Sequence, residues 1–163
     1  MICYSVTGKI IEVGERLLIL KAGAFSFSFL VPRALEFQQG ADVELITYLH
    51  WNQEQGPQLF GFKTCVEREI FLVLIACSGI GPKLAVVILD LLEPAQLAQA
   101  VQNEDAKLLS TVPGIGVKKA EQLLVQLRHS LQKIINKYPN IGFNNAEHVD
   151  FKTVTEVLSS LQY

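Results

Sequence analysis

Two short stretches of the sequence combine glycines, an isoleucine and lysines in the same order. Residues 112–120 read V-P-G-I-G-V-K-K-A, and residues 77–85 read C-S-G-I-G-P-K-L-A. A Gly-apolar-Gly turn that opens a helix points successive backbone N–H groups outward, and its glycines allow a ligand to approach closely. Together with the positive end of the helix dipole and the lysines that follow, such a turn is suited to bind an anion.

The glycines, the isoleucine, the first lysine and the alanine coincide when residues 77–85 are laid on residues 112–120. This internal repeat indicates two copies of one helix–turn–helix unit. A single Gly-Ile-Gly is explained equally well by an anion-binding turn and by a helix cap followed by a tight turn. The repetition of the turn together with its lysines favours anion binding. The predicted anion-binding residues are Gly79, Ile80, Gly81, Lys83, Gly114, Ile115, Gly116, Lys118 and Lys119.

The composition of the chain gives little indication of other functional sites. The 163 residues are 50% apolar, which suits one domain or two small ones. The three cysteines and three histidines are scattered, so we expect no disulfide, no metal site and no cofactor. The longest apolar run, at residues 70–77, is too short to span a bilayer, and the N-terminus lacks a signal peptide. We therefore expect a cytoplasmic protein with no membrane partner.

Up to residue 62, apolar residues tend to recur at every second position, a spacing typical of strands. Phe25, Phe27 and Phe29 alternate with serines, which places three rings on one face of a strand. Further strands are predicted at residues 4–13, 16–22, 43–49 and 57–62. Five short strands favour a closed barrel, OB-like in the first place and SH3-like as the alternative. Trp51 is assigned to packing within this barrel.

Beyond residue 62 the apolar period becomes helical. Thr64 and Glu67 fit a capping box, in which each side chain satisfies a free backbone donor. This first helix ends at residues 78–79. Pro82 and Pro94 suit the first turns of the next two helices. Asn103 is predicted to cap a short helix at residues 104–110, and a long helix is predicted from Val117 to Lys137.

The pattern apolar-x-Gly-apolar-Gly-x-x-x-Ala resembles the helix-hairpin-helix motif of proteins that hold DNA by its phosphates. Two such motifs behind a barrel that starts M-I and closes on Q-L-F-G-F-K resemble the RuvA family of Holliday-junction-binding proteins. The resemblance extends to about residue 137. It implies an α+β multidomain protein with an OB-like barrel at residues 1–62 and a tandem helix-hairpin-helix domain at residues 63–138.

The charges agree with a DNA-binding role of the helical part. Residues 63–138 carry 9 basic and 7 acidic side chains, although the whole chain has a net charge of −2. A basic surface that contacts the backbone positions DNA without reading sequence, and its affinity falls as salt rises.

Membership of this family implies a protein with no catalytic residues of its own. Such proteins hold four-way junctions open and square-planar as homotetramers, singly or in pairs. Their partners are the hexameric ATPase RuvB, which drives branch migration, and the RuvC resolvase. Since the sequence contains no G-x-x-x-x-G-K-[ST] phosphate loop, we expect ATP hydrolysis by the partner alone.

In this family, acidic residues at a barrel hairpin form a central pin that repels phosphates at the crossover. The matching positions here are Glu54 and Gln55, so one carboxylate stands where the family usually has two. Residues 139–150 are predicted to be a flexible linker. Residues 151–163 resemble the first helix of the motor-binding domain, so we expect junction binding to persist and motor coupling to be weakened or lost.

Two other functions are compatible with parts of the sequence. A helix-hairpin-helix DNA glycosylase/lyase would use Lys118 as its nucleophile and an aspartate about eighteen residues later, but position 136 is Asn and the next aspartate is Asp150. A protein-interaction scaffold would leave the duplicated lysine-bearing turns unexplained.

Overall fold

The computed structural model describes residues 4–138 and begins with a closed five-stranded barrel. Around the barrel the strands follow the order β1-β2-β3-β5-β4. Strand β3 pairs in parallel with β5 through Leu30 and Phe60, and the other pairings are antiparallel. This is the OB-like arrangement, so the first of the two predicted barrels is confirmed. The strands are β1 (Ser5–Val13), β2 (Leu17–Ala22), β3 (Phe25–Leu30), β4 (Asp42–Asn52) and β5 (Gly56–Phe62).

The three phenylalanines of β3 lie on one face, as their spacing predicts, but their burial differs. Successive ring centroids are 6.3 Å apart along the strand. Phe29 is fully buried in the barrel core, whereas Phe25 is 70% exposed. The core of the barrel therefore begins at Phe29 and includes Ile10, Leu18, Leu20, Val31, Ala34 and Leu45.

Five helices follow the barrel. They are α1 (Cys65–Ala76), α2 (Pro82–Leu91), α3 (Pro94–Gln102), α4 (Ala106–Ser110) and α5 (Val117–Lys137). The predicted starts at Pro82, Pro94 and Val117 are confirmed. No single helix among residues 4–138 is long and apolar enough to cross a membrane. Within these residues, only α2 and α3 taken together reach that length and apolar content, and the two helices are bent by 93° relative to each other.

The predicted cap of α4 is wrong. Asn103 ends α3, and the side chain of Asp105 accepts the Leu108 N–H at 3.0 Å to begin α4. Glu104, between them, has a positive φ of 55°, which turns the chain sharply enough to separate the two helices. A carboxylate directly before the first turn also complements the helix dipole, so Asp105 is the better cap.

The capping box predicted for α1 is correct in one of its two bonds. The Thr64 hydroxyl accepts the Glu67 N–H at 3.2 Å. The Glu67 carboxylate, however, accepts the N–H of Lys63 at 2.9 Å, one residue before the cap, and pairs with Arg33. Glu67 thus connects the helix to the barrel as well as to its own first turn.

The barrel and the helices share a hydrophobic core. Phe71 of α1 lies 5.2 Å from the ring of Phe60, 4.9 Å from that of Phe62 and 5.4 Å from that of Tyr48, measured between centroids. The chain changes from strand to helix between Phe62 and Cys65, where the change of period predicts it. The predicted linker at residues 139–150 and helix at 151–163 lie outside the described residues.

Candidate nucleic-acid interface

The first Gly-Ile-Gly turn connects α1 to α2. Gly79 has a φ of +77°, a conformation that side chains rarely adopt. The Ile80 N–H donates to the Cys77 carbonyl at 3.2 Å, and the Ile80 side chain is buried in the core with 5% exposed. Gly81 then caps α2 with φ −85° and ψ 168°. The buried isoleucine fixes the turn and leaves both glycines at the surface.

The second turn, between α4 and α5, repeats this geometry. Gly114 has a φ of +91°, and the Ile115 N–H donates to the Val112 carbonyl at 3.0 Å. Ile115 is 4% exposed, and Gly116 caps α5 with φ −83° and ψ 169°. The repeat seen in the sequence is therefore also a repeat of backbone conformation.

Small residues keep both turns accessible and close to the core. Ala85 and Ala120, in the first turns of α2 and α5, are fully buried and let each helix approach its neighbours. A Cβ added to Gly81 or Gly116 would meet no atom within 4 Å. A ligand can therefore approach the backbone of both helix starts closely.

Both helix N-termini have backbone donors that no side chain of their caps satisfies. Gly81 and Gly116 provide no side-chain acceptor, so the first N–H groups of α2 and α5 point outward. Helix α2 starts with Pro82, which has no N–H, whereas α5 starts with Val117, which has one. The second turn can therefore offer an anion one more donor than the first.

The predicted lysines lie at these helix starts. Lys83 and Lys118 are exposed and Lys119 is half-buried. None of the three pairs with a carboxylate in the described part of the chain, whereas Arg128 and Lys137 pair with glutamates. Three cations therefore lie beside two groups of outward N–H donors, which is the chemistry of a phosphate site.

The two turns are neighbours in space. The Lys119 Nζ lies 3.5 Å from the Gly114 carbonyl of its own turn. Its Cε would lie 3.5 Å from a Cβ placed on Gly79 of the other turn. In addition, the Ser78 N–H donates to Oε1 of Gln126 on α5 at 3.0 Å, so the helix that starts at the second turn holds the first turn in place.

The candidate pin lies at the tip of the hairpin that joins β4 to β5. Asn52 Oδ1 accepts the N–H groups of Glu54 at 2.8 Å and Gln55 at 3.2 Å, and Gly56 closes the turn with a φ of +72°. Glu54 is exposed, and its carboxylate has no partner among residues 4–138. The Gln55 Oε1 accepts from Gln58 Nε2 at 2.9 Å, so that amide is held against the hairpin.

The assignment of Trp51 to barrel packing is wrong, because its side chain is 68% exposed. Trp51 pairs with Pro57 near the end of the β4–β5 ladder, next to the last pair, between Asn52 and Gly56. The ladder extends beyond the barrel at this point, so a side chain on the inward face has no core to enter. The indole stands instead at the base of the hairpin that carries Glu54.

Sequence reasoning missed a cluster of four charged residues between the barrel and the helices. Arg16 and Arg33 of the barrel meet Glu67 of α1 and Asp90 of α2. Burial raises the pKa of the Glu67 carboxyl, and the Arg33 guanidinium opposes this shift. Partners so far apart in sequence leave no periodic signal. The predicted capping box of Thr64 and Glu67 indicates only that Glu67 is fixed in the first turn of α1.

Among residues 4–138, no three His, Cys, Asp or Glu side chains come together as potential metal ligands. A closed barrel followed by two adjacent Gly-Ile-Gly turns defines the class of protein with tandem helix-hairpin-helix motifs. Consistent with this, residues 71–129 match the family model described as a SAM-like helix-hairpin-helix tandem.

Curated relatives named "Holliday junction branch migration complex subunit RuvA" resemble most of the chain. That of Borrelia turicatae is 40% identical over 131 residues, which are 79% of this chain and 66% of the relative. That of Bacillus cytotoxicus is 34% identical over 90% of this chain and 72% of the relative. That of Bacillus mycoides is 33% identical over 93% and 74%. The chain belongs to the RuvA family, and it spans about two thirds to three quarters of the length of these relatives.

Proposed function

We propose that this protein binds four-way DNA junctions by the phosphates of their arms, as the DNA-binding subunit of a branch migration complex. The observation that carries the proposal is the duplicated turn. It presents two helix N-termini of the same conformation, each followed by lysines without carboxylate partners among residues 4–138. Backbone N–H groups and lysines bind phosphate but do not distinguish bases, so binding is independent of sequence. The DNA-binding residues are those predicted from the repeat.

Selectivity for junctions comes from the assembly of four protomers. One pair of turns holds one duplex arm weakly, and a homotetramer places four such pairs on the four arms of a square-planar junction. Binding of the second and later arms is then intramolecular, which raises affinity without new contacts. Membership of the RuvA family supports this arrangement, whether one tetramer or two clasp the junction.

Glu54 acts as the pin of each protomer. Four hairpins that meet at the centre of a tetramer would place four carboxylates at the crossover, where they repel phosphates and keep strands apart. Gln55 adds no charge and is engaged by Gln58. The repulsion is therefore weaker than with two acids per hairpin, and salt screens it further.

The protein partners follow from the same family. The chain positions the junction for RuvB, which supplies ATP hydrolysis, and presents it to the RuvC resolvase. The glycosylase alternative is no longer supported, because the matched relatives are named as subunits of a branch migration complex and Asn136 replaces the required aspartate.

A gel-shift titration of a four-way junction and of a duplex of equal length, across a salt series, tests the proposal. We compare wild type with Lys118→Ala/Lys119→Ala and with Lys107→Ala/Lys133→Ala, which removes the same charge from exposed positions on α4 and α5. We expect wild type to prefer the junction. We expect the turn variant to bind more weakly, with a salt slope reduced by roughly 0.9 for each phosphate that it no longer neutralises.

The other outcomes separate the remaining functions. Equal affinity of the wild type for both DNAs would indicate a general phosphate binder and contradict junction selectivity. Equal reductions of affinity in the two double variants would mean that the turns act only through net charge. A folded protein that binds neither DNA would overturn the proposal in favour of a scaffold.

A further inference from the structure

Arg33 connects three parts of the protein at one point. Its guanidinium pairs with Glu67 in the first turn of α1. The Nη1 atom donates to the Leu89 carbonyl of α2 at 2.6 Å, and the Arg33 backbone N–H donates to Asp90 Oδ1 at 2.6 Å. Arg16, between β1 and β2, completes the cluster, because its Nε donates to Asp90 Oδ2 at 2.9 Å. We call Arg16, Arg33, Glu67 and Asp90 the ionic joint.

The ionic joint is largely removed from solvent. The exposed side-chain fractions are 14% for Arg33, 5% for Glu67, 16% for Asp90 and 33% for Arg16. Burying charges costs free energy unless each one is paired and hydrogen-bonded, so these contacts tolerate little displacement. The guanidinium also donates to the Leu89 carbonyl in the last turn of α2, where the helix dipole favours a cation.

The backbone of Arg33 has an uncommon conformation that serves these contacts. Its φ of 50° and ψ of 44° are left-handed, a conformation that non-glycine residues rarely adopt because the Cβ crowds the backbone. This conformation allows the N–H to face Asp90 while the side chain faces Glu67. Left-handed residues persist where the surrounding contacts over-determine them. The joint therefore fixes the backbone of the barrel loop as well as the side chains.

The joint lies at the end of both helices remote from the first turn. Helix α1 starts at Cys65 near the joint and leads to the turn, and α2 leads from the turn back to Asp90. Helix α2 has 10 residues, so the joint and the turn are about 15 Å apart. A tilt of about 10° at the joint would move the turn by about 3 Å, the length of a hydrogen bond.

We infer that Arg33 is a positioning residue for junction recognition, which sets the orientation of the first phosphate-binding turn relative to the hairpin that carries Glu54. This inference rests on the proposed function. Contacts with one duplex arm need only the two turns, which hold each other through Lys119 and Gln126. Simultaneous placement of four arms around a central pin also needs the correct angle between helices and barrel. Disruption of the joint should therefore affect junctions much more than duplexes.

Three variants and a matched control test the inference in the 163-residue chain. Arg33→Met keeps the apolar stem and removes the guanidinium from the joint, Arg33→Lys keeps the charge, and Asp90→Asn weakens only the α2 side. The control is Arg128→Met, which breaks the ion pair with Glu104 on the surface. For each we measure duplex affinity, junction affinity, energy transfer between dyes on two junction arms, and thermal unfolding.

We expect Arg33→Met to keep duplex affinity within about twofold and to lower junction affinity about tenfold or more, since every protomer of a multivalent assembly is misaligned. The junction affinity of Arg33→Lys should lie between those of Arg33→Met and wild type. The energy-transfer distribution should broaden as the arms are no longer held at fixed angles. Arg128→Met should match wild type in every measurement.

An unchanged ratio of junction to duplex affinity in folded Arg33→Met would overturn the inference, whether both affinities stay at the wild-type level or fall in parallel. Should Arg33→Met fail to fold, Asp90→Asn decides in its place, because it leaves the pair of Arg33 and Glu67 intact. A reduced ratio in Asp90→Asn supports the inference, and an unchanged ratio overturns it. Failure of the proposed function would already be visible as a wild type without junction preference.

Discussion

Lys119 of the second helix-hairpin-helix unit lies against Gly79 of the first, with Cε 3.5 Å and Nζ 3.9 Å from the place of a Cβ on that glycine. Reciprocally, Leu84 Cδ1 of the first unit lies 3.4 Å from the place of a Cβ on Gly114 of the second. Leu84 and Lys119 occupy equivalent positions in the repeat, so the two units face each other with approximate twofold symmetry. The side chains break this symmetry, because one ammonium lies between the two turns and an apolar group occupies the equivalent place.

Lys119 should therefore contribute more to DNA binding than Lys83, which lies beside a single turn. We expect Lys119→Leu, which makes the two positions alike, to lower duplex affinity about tenfold, which is about 1.4 kcal/mol. Lys83→Leu should lower it about threefold, because Lys83 lies beside one turn rather than two. Fluorescence anisotropy of a labelled duplex at several salt concentrations measures both. Lys133→Leu is the control, and a Lys119→Leu affinity equal to that of the control would contradict a shared role.

Alanine substitutions of the positive-φ glycines and of the capping glycines should have different effects. Gly79→Ala and Gly114→Ala force a Cβ into a left-handed backbone, with φ of +77° and +91°, and should lower the free energy of unfolding by about 1 kcal/mol each. Urea denaturation followed by circular dichroism measures this decrease. A stability equal to that of wild type would show that the turn relaxes without strain.

Gly81→Ala and Gly116→Ala should leave stability unchanged and weaken DNA binding. Both residues have an ordinary φ, −85° and −83°, and open space around the added methyl group. The methyl group would stand where a phosphate must approach the N–H donors, so the effect appears in affinity alone. Duplex titration of these two variants, with denaturation beside it, separates a binding surface from a purely structural turn. Unchanged affinity would contradict a phosphate at the helix start.

The charge of the pin can be restored without disturbing the hairpin. In Gln55→Glu a carboxylate oxygen can accept the same bond from Gln58 Nε2, so the fold should be retained. We expect strands at the crossover to separate further in Gln55→Glu and less in Glu54→Gln, because repulsion of phosphates rises with the number of carboxylates. A 2-aminopurine base at the crossover reports unstacking as a rise in fluorescence. An identical signal in both variants, at low salt and equal occupancy, would contradict the pin role of this hairpin.

The sequence predicts the fold well where local signals determine the structure. The five strands and the helix starts at Pro82, Pro94 and Val117 follow from periodicity, from proline at first helical positions and from glycine turns. The candidate site is equally local, because nine consecutive residues build each turn. Burial of Ile80 and Ile115 and the open space around the capping glycines could then be anticipated from the repeat alone.

Other features depend on where distant segments meet, and the sequence does not show them. Glu67 and Asp90 lie 34 and 57 residues from Arg33, so no periodicity links them to it. Trp51 alternates correctly for a core residue, but its strand extends beyond the barrel. Asn103 and Asp105 are both good caps by type, and only the turn at Glu104 decides between them. In each case tertiary placement outweighs the local preference.

The exposed Trp51 is the only tryptophan of the chain and lies on the hairpin of the pin. Its fluorescence should therefore report events at the crossover. We expect iodide to quench it efficiently in the free protein. Saturation with a junction should reduce this quenching strongly, because the hairpin enters a crowded, negatively charged centre, whereas saturation with a duplex should reduce it little. Equal protection by both DNAs would place the hairpin away from the crossover.

The Glu67 carboxyl gives stability a pH dependence whose sign can be derived. Burial raises its pKa above the ordinary value of 4.5, and Arg33 and the neighbouring backbone N–H groups oppose the shift in part. Between the unfolded and folded pKa values the folded state holds more protons, so stability falls as pH rises. The contribution is complete below about 4.5 and disappears as pH rises through the folded pKa.

Glu67→Gln isolates this contribution, because the other carboxyl groups titrate alike in both proteins. We expect the free energy of unfolding of wild type, minus that of Glu67→Gln, to decrease as pH rises from 4.5 and to level off above the folded pKa. Urea denaturation of the two proteins at pH intervals measures this difference directly. A difference that increases with pH over this range would show that the attraction of Arg33 exceeds the cost of burial and that the pKa of Glu67 is lowered.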